Sequence, residues 1–148
     1  MSARGAAELE LSASPESVRL AAPWLARTAA DLGIPPSQIA RLDRCFDEVL
    51  ANILAHGGPG ARAMPIRARI GIGGNGAWRE AVLEVSDAGA PFDPLQVTDR
   101  PSLTTLAEAD LGGLGLLLLR SHSDALSYRR EAGCNRMAVT VRWQEPAA

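Results

Sequence analysis

The chain has 148 residues, 47% hydrophobic and 22% charged, with a net charge of -2 and a sequence pI near 5.7, which suits one soluble domain with a core of its own. All 15 basic residues are Arg. The absence of Lys excludes a Walker A loop, a eukaryotic-type kinase core and Schiff-base chemistry, and the scattered Arg residues form no basic stripe for direct nucleic-acid binding, Arg129-Arg130 being too short a run.

The first 17 residues carry no apolar stretch of the kind that opens a signal peptide. Alternation over residues 7–13 predicts a first strand. Ser14-Pro15-Glu16 then opens a helix, with Ser at the cap and Pro in the first turn. Its apolar face (Val18, Ala21, Ala22, Leu25, Ala29, Leu32) runs to a stop at Gly33. Pro35-Pro36-Ser37 opens a second helix. There Ile39, Leu42, Phe46, Val49, Leu50 and Ile53 keep a 3.6-residue period up to the stop cluster His56-Gly57-Gly58-Pro59-Gly60. Strict alternation in 65–73, a turn signal at Gly73-Gly74-Asn75-Gly76 and a partner run at 79–86 predict a β-hairpin. Residues 95–111 have weak periodicity and are predicted to form a mobile loop. Gly112-Gly113-Leu114-Gly115 leads into a helix over 114–121. Strands over 125–131 and 135–143 follow, with a turn at Gly133. The order β-α-α-β-β-loop-α-β-β predicts an α/β (α+β) two-layer sandwich, with a mixed, mostly antiparallel sheet and helices on one face.

The longest apolar run, Leu114 to Leu119, is broken by Gly115 and far short of the roughly 20 residues that span a bilayer. A cytoplasmic protein without a membrane segment is the expectation, and two unpaired, distant Cys suit a reducing compartment. Cys45, Cys134, His56 and His122 show no C-x-x-C or H-x-x-x-H spacing, so no zinc site is expected.

Three short patterns carry chemistry. Arg44, Glu48, Asn52 and His56 recur every four residues on the second helix, each about 40° around from the last. This ridge reads either as a solvated face with an Arg–Glu pair or as a carboxylate base beside a neutral amide oxygen suited to a hard cation. Asp87-x-Gly89 follows a strand and reads either as a common turn or as an acceptor for an exocyclic amine, with a glycine that lets a flat base approach the backbone. Gly112-Gly113-x-Gly115 reads either as a packed hinge or as a helix N-terminus open to phosphate. His122 has no partner visible in the sequence.

Together, and in this order, the patterns resemble the GHKL ATPase superfamily. They are most similar to its small stand-alone branch, the bacterial anti-sigma-factor serine/threonine kinases. FDEVLANILAHG (46–57) is similar to the N box of that branch, VSDAGAPFDP (85–94) to its first Gly box, and 111–137 to its last. The resemblance covers about residues 7–143 and implies a single Bergerat ATP-binding domain. It implies Glu48 as general base and Asn52 as ligand to Mg²⁺. It implies Asp87 on the adenine amine with Gly89 beneath the base, and Gly112, Gly113, Gly115 and Leu116 about the phosphates. Asn135 would stand where the superfamily often has a hydroxyl supporting the adenine site, and 95–111 would be the ATP lid. The cofactors implied are ATP and Mg²⁺. The partners implied are an antagonist protein phosphorylated on serine, a sigma factor and a second copy of the chain. Two departures stand out: Pro91 replaces a second glycine in the first Gly box, and no Lys is available to neutralise the triphosphate. A sensor kinase or a topoisomerase as a whole is not expected, since no phospho-accepting helix or second domain is legible.

Overall fold

The computed structural model describes residues 6–96 and 113–145. Five strands form one sheet: β1 (Ala6–Leu11), β2 (Ile66–Asn75), β3 (Trp78–Asp87), β4 (Ala125–Glu131) and β5 (Cys134–Gln144). Their order across the sheet is β1-β2-β3-β5-β4 and every pairing is antiparallel. The helices are α1 (Pro15–Val18), α2 (Ala21–Asp31), α3 (Pro36–His56), α4 (Gly58–Ala63) and α5 (Gly113–Ser121), with one 3-10 turn at Pro94–Gln96. The two-layer architecture is the expected one. Among the described residues, no helix is long and apolar enough to cross a membrane.

The two faces of the sheet follow from strand alternation. Ile66, Ala68 and Ile70 of β2, Ala81, Leu83 and Val85 of β3, and Met137, Val139 and Val141 of β5 are buried on one face. Against them lie Trp24 and Leu25 of α2 and Leu42, Phe46, Val49, Leu50 and Ile53 of α3. Trp24 and Phe46 meet edge to face at 6.2 Å. The opposite face is charged, with cross-strand partners set by the register: Glu10 opposite Arg67 (3.3 Å) and Glu80 opposite Arg142 (3.2 Å).

Three boundaries differ from the sequence expectation. The first predicted helix is two helices, α1 and α2. Pro23 lacks an N–H, and its ring would clash with the carbonyl of residue 19 in a continuous helix, so α2 starts afresh at Ala21, with Leu20 as its cap. The β2–β3 turn is Gly76-Ala77 alone, because Gly73 and Gly74 still pair with Glu80 and Arg79. The stop after His56 holds, yet Gly58 takes a left-handed step (φ +65°) and a further short helix, α4, begins there with Pro59 in its first turn. Of the predicted loop 95–111, only Leu95 and Gln96 are described, both in the 3-10 turn; 97–111 and Gly112 lie outside the described residues.

Candidate functional site

A pocket opens where the C-terminal half of α3 passes over the ends of β3 and β5. Its walls are Val49, Asn52, Ile53, His56 and Gly57 from α3 and its end, and Val85 and Asp87 from β3. Ala90, Phe92 and Pro94 from the following segment, Tyr128 from β4, and Asn135 and Met137 from β5 complete it. Its cavity volume is about 30 Å³. Apolar walls with a few converging polar groups are the usual form of a small-molecule site.

Asp87 and Asn135 are the two buried polar side chains among the described residues. They face each other as the last register pair of β3 and β5. Asp87 Oδ1 accepts from Gly89 N–H at 2.8 Å and from Asn135 Nδ2 at 3.2 Å. Both bonds fall on one oxygen, so Asp87 keeps acceptor capacity for a ligand donor. Asn135 Nδ2 also donates to Ala90 O (2.9 Å), and Asn135 Oδ1 accepts from Tyr128 Oη (2.5 Å) and Phe92 N–H (3.3 Å). Arg130 donates to Gly89 O at 2.7 Å. The β4–β5 hairpin therefore holds the segment 87–92 at several points.

Gly89 packs against the helix layer. A Cβ placed on it would lie 2.7 Å from Gly57 Cα and 2.8 Å from Gly57 O, inside any tolerable contact. Ala90 N–H donates to Gly57 O at 3.0 Å across this junction. Gly60 is pressed against Ala88 O in the same way. His56 stacks on Phe92 with centroids 4.2 Å apart and planes 15° from parallel, at the rim of the pocket.

Along α3 the ridge is graded in exposure, and Glu48 is hydrogen-bonded with Asn52 rather than paired with Arg44. Glu48 and Asn52 are half-buried, while Arg44 and His56 are exposed. Burial, reinforced by the neighbouring Asp47 charge, raises the Glu48 carboxyl above its ordinary range, against a hydrogen bond from Asn52 that lowers it. The Glu48 carboxyl lies directly against Gly115, in the first turn of α5: a Cβ there would meet Glu48 Cδ at 2.9 Å and Oε2 closer still. Gly113 begins α5, and Leu116 is buried one residue beyond Gly115. Asn52, Asp87 and Asn135 thus line one pocket, with Gly89 behind the wall that Asp87 forms, while Glu48 is joined to Asn52 by a hydrogen bond and faces Gly115 beyond the pocket walls. Among the described residues no cluster of three or more His, Cys, Asp or Glu could hold a metal ion. A cation here would rely on Asn52 together with its own ligand's oxygens.

Tyr128, Phe92 and Arg130 escaped sequence reasoning. Counting outward from the turn at Gly133 does pair residue 130 with 135, which places Tyr128 within diagonal reach of Asn135. His122, unassigned from sequence, lies with Nδ1 2.9 Å from Leu118 O at the end of α5. Cys45 is a core residue whose thiol burial pushes up to about 11.

The chain belongs to the histidine kinase-like ATPase domain family, whose pattern matches residues 11–143. It is 34% identical over 136 residues to the serine/threonine-protein kinase BtrW of Bordetella bronchiseptica, covering 89% of this chain and 90% of that one. Two solved structures share the fold. The RsbU and RsbW domains of Rv1364c from Mycobacterium tuberculosis align with a TM-score of 0.67 at 19% identity, covering 96% of this chain and 33% of that much longer one. The SiaB–SiaC complex from Pseudomonas aeruginosa aligns with a TM-score of 0.56 at 15% identity, covering 93% of this chain and 89% of its counterpart.

Proposed function

We propose that the chain binds Mg-ATP in this pocket and transfers the γ-phosphate to a serine of a small antagonist protein, in a cytoplasmic switch that controls a sigma factor held by a dimer of the chain. The observation that carries the reading is the pairing of Asp87 with Asn135 among apolar walls, in a pocket that Asn52 also lines, with Glu48 one turn before Asn52 on α3. Kinship with a named serine/threonine-protein kinase supports the reaction type. The residues fit the nucleotide in kind. Asp87 offers a buried acceptor to the adenine amine, and Val49, Ile53, Val85 and Met137 offer apolar surface to a flat base. Gly89 supports that acceptor from behind. Asn52 offers an amide oxygen to the cation, and the N-terminal turn of α5, from Gly113 to Gly115 and Leu116, offers N–H groups to phosphate oxygens. Mg²⁺, when bound, neutralises phosphate charge that no Lys in this chain can meet. Glu48 takes the proton of the incoming serine hydroxyl as the Ser O–P bond forms and ADP departs. A carboxyl raised by burial is a better base for that proton than one in water.

The test is to incubate the purified chain with γ-labelled ATP, Mg²⁺ and candidate antagonist proteins from its own gene neighbourhood. Label on a serine is the expected result. Absence of ATP binding with Mg²⁺ present, read by calorimetry, refutes the nucleotide reading. ATP-strengthened partner binding without transfer replaces the kinase with an ATP-gated sequestering module.

A further inference from the structure

The side chain of Asn135 has a determined sense. Phe92 N–H can only donate and reaches Oδ1; Ala90 O can only accept and is reached by Nδ2. Turning the amide end for end would set donor on donor and acceptor on acceptor at both places, and would place its oxygen against Asp87 Oδ1. Of the two donors that hold Oδ1, the Tyr128 hydroxyl is much the closer, at 2.5 Å against 3.3 Å for Phe92 N–H. Tyr128 belongs to β4, is half-buried and lines the pocket wall. Its ring packs with the core, so its hydroxyl reaches Asn135 from a fixed base.

We propose that Tyr128 is a positioning residue for base selection. Through Asn135 it keeps an NH₂ group on Asp87 Oδ1, so that Asp87 presents only acceptor lone pairs to the ligand. An acceptor presented in this way pairs with a 6-amino purine and meets a 6-oxo purine oxygen to oxygen. Tyr128 itself does not read the base; it fixes the amide that fixes the carboxylate. The inference rests on the nucleotide reading above and adds the residue on which the stringency of that reading depends. A merely structural Tyr128 would support all nucleotides equally. A positioning Tyr128 supports the amino purine in preference.

The experiment measures ATP and ITP affinities, with Mg²⁺, for the native chain and for Tyr128→Phe, Asn135→Ala and the double variant. The two ligands differ at the 6-position and in the N1 proton that goes with it. The native chain is expected to prefer ATP. Tyr128→Phe keeps the ring and loses one hydrogen bond to Asn135, and is expected to cut the ATP-to-ITP preference about 5–10-fold, mainly by weakening ATP. The double variant is expected to discriminate no worse than Asn135→Ala alone, because Tyr128 acts through that amide. An unchanged ATP-to-ITP ratio in Tyr128→Phe, or equal losses for both ligands, overturns the proposal, as do additive losses in the double variant. A native chain that binds ATP and ITP equally overturns the adenine reading itself, a failure visible before any variant is made.

Discussion

Gly89→Ala probes the junction between the strand layer and the helix layer more sharply than any change within the core. The added methyl would sit 2.7 Å from Gly57 Cα and 2.8 Å from Gly57 O and Asp87 Oδ1. Comfortable carbon contacts begin near 3.5 Å, so the overlap approaches 1 Å, and two of the three atoms are backbone with no rotamer to adopt. Overpacking of this kind costs about 1–3 kcal/mol. Separating the segments also weakens Ala90 N–H to Gly57 O and the Arg130 bond to Gly89 O, at about 1 kcal/mol each. A total of about 3–5 kcal/mol lowers the melting temperature of a chain this long by roughly 6–20 °C. Gly73→Ala is the matched control. Its Cβ meets nothing within 4 Å, and it is expected to be neutral or stabilising by up to about 1 kcal/mol. Thermal and urea denaturation of both variants provide the readout. A Gly89→Ala variant that melts within about 2 °C of the native chain would refute the close-approach reasoning, and a selective loss of ATP affinity in that variant would return Gly89 to the role of a platform beneath the base.

Glu48→Gln is expected to bind Mg-ATP almost as the native chain does while transfer falls at least about a hundredfold; transfer at the native rate would assign the base elsewhere. The same variant carries a stability signature. Because the folded Glu48 carboxyl sits above its ordinary 4.5 through burial and the Asp47 charge, its contribution is fully favourable below that value and is lost as pH rises through the folded one. Glu48→Gln should therefore melt above the native chain at pH 7 and level with it near pH 4; equal melting at both pH values would refute the desolvation argument. Asn52→Ala should leave the melting curve intact and reduce ATP affinity in Mg²⁺ to the value measured in EDTA, a comparison that calorimetry makes directly. Asp124 shows the opposite sign. Burial alone would raise it, but the Arg41 guanidinium and Arg142 N–H outweigh burial and hold it below its ordinary 3.8. Asp124→Ala should cost about 0.5–1 kcal/mol at pH 7, since the pair is water-screened. That cost should fade as the pH drops below 3.8 and through the folded value, and urea titrations at pH 7 and pH 3 would show it.

The long helix α3 and the strands β2 and β5 were legible because burial imposes a period on the sequence, 3.6 in one case and 2 in the others. The break between α1 and α2 was hidden because the apolar face continues through it; only Pro23 marks it. The short helix α4 was hidden by glycines that read as a stop. Within the candidate site, the chemistry-bearing types Glu48, Asn52 and Asp87 stood out by spacing. The pairing of Asp87 with Asn135, 48 residues apart, exists only through the β3–β5 register. The contact of Gly89 with Gly57 is less legible still. It is an approach of two backbones from different layers, and no local pattern records it.

The Asp87–Asn135 pair has a consequence for how this fold tolerates change. β3 and β5 are neighbours in the sheet, yet residues 88–133 intervene between them in sequence, including α5 and β4. The hydrogen-bonded pair closes the two ends of that excursion, and Ala90 is tied to the same amide. Chain length inserted between Gln96 and Gly113 is therefore added to an excursion whose two ends are already fastened. Doubling such a segment costs only about 0.6 kcal/mol in closure entropy, and the strand register on either side does not shift. A change of length in the span that follows the 3-10 turn therefore leaves the Asp87 carboxylate in place and does not rebuild the sheet.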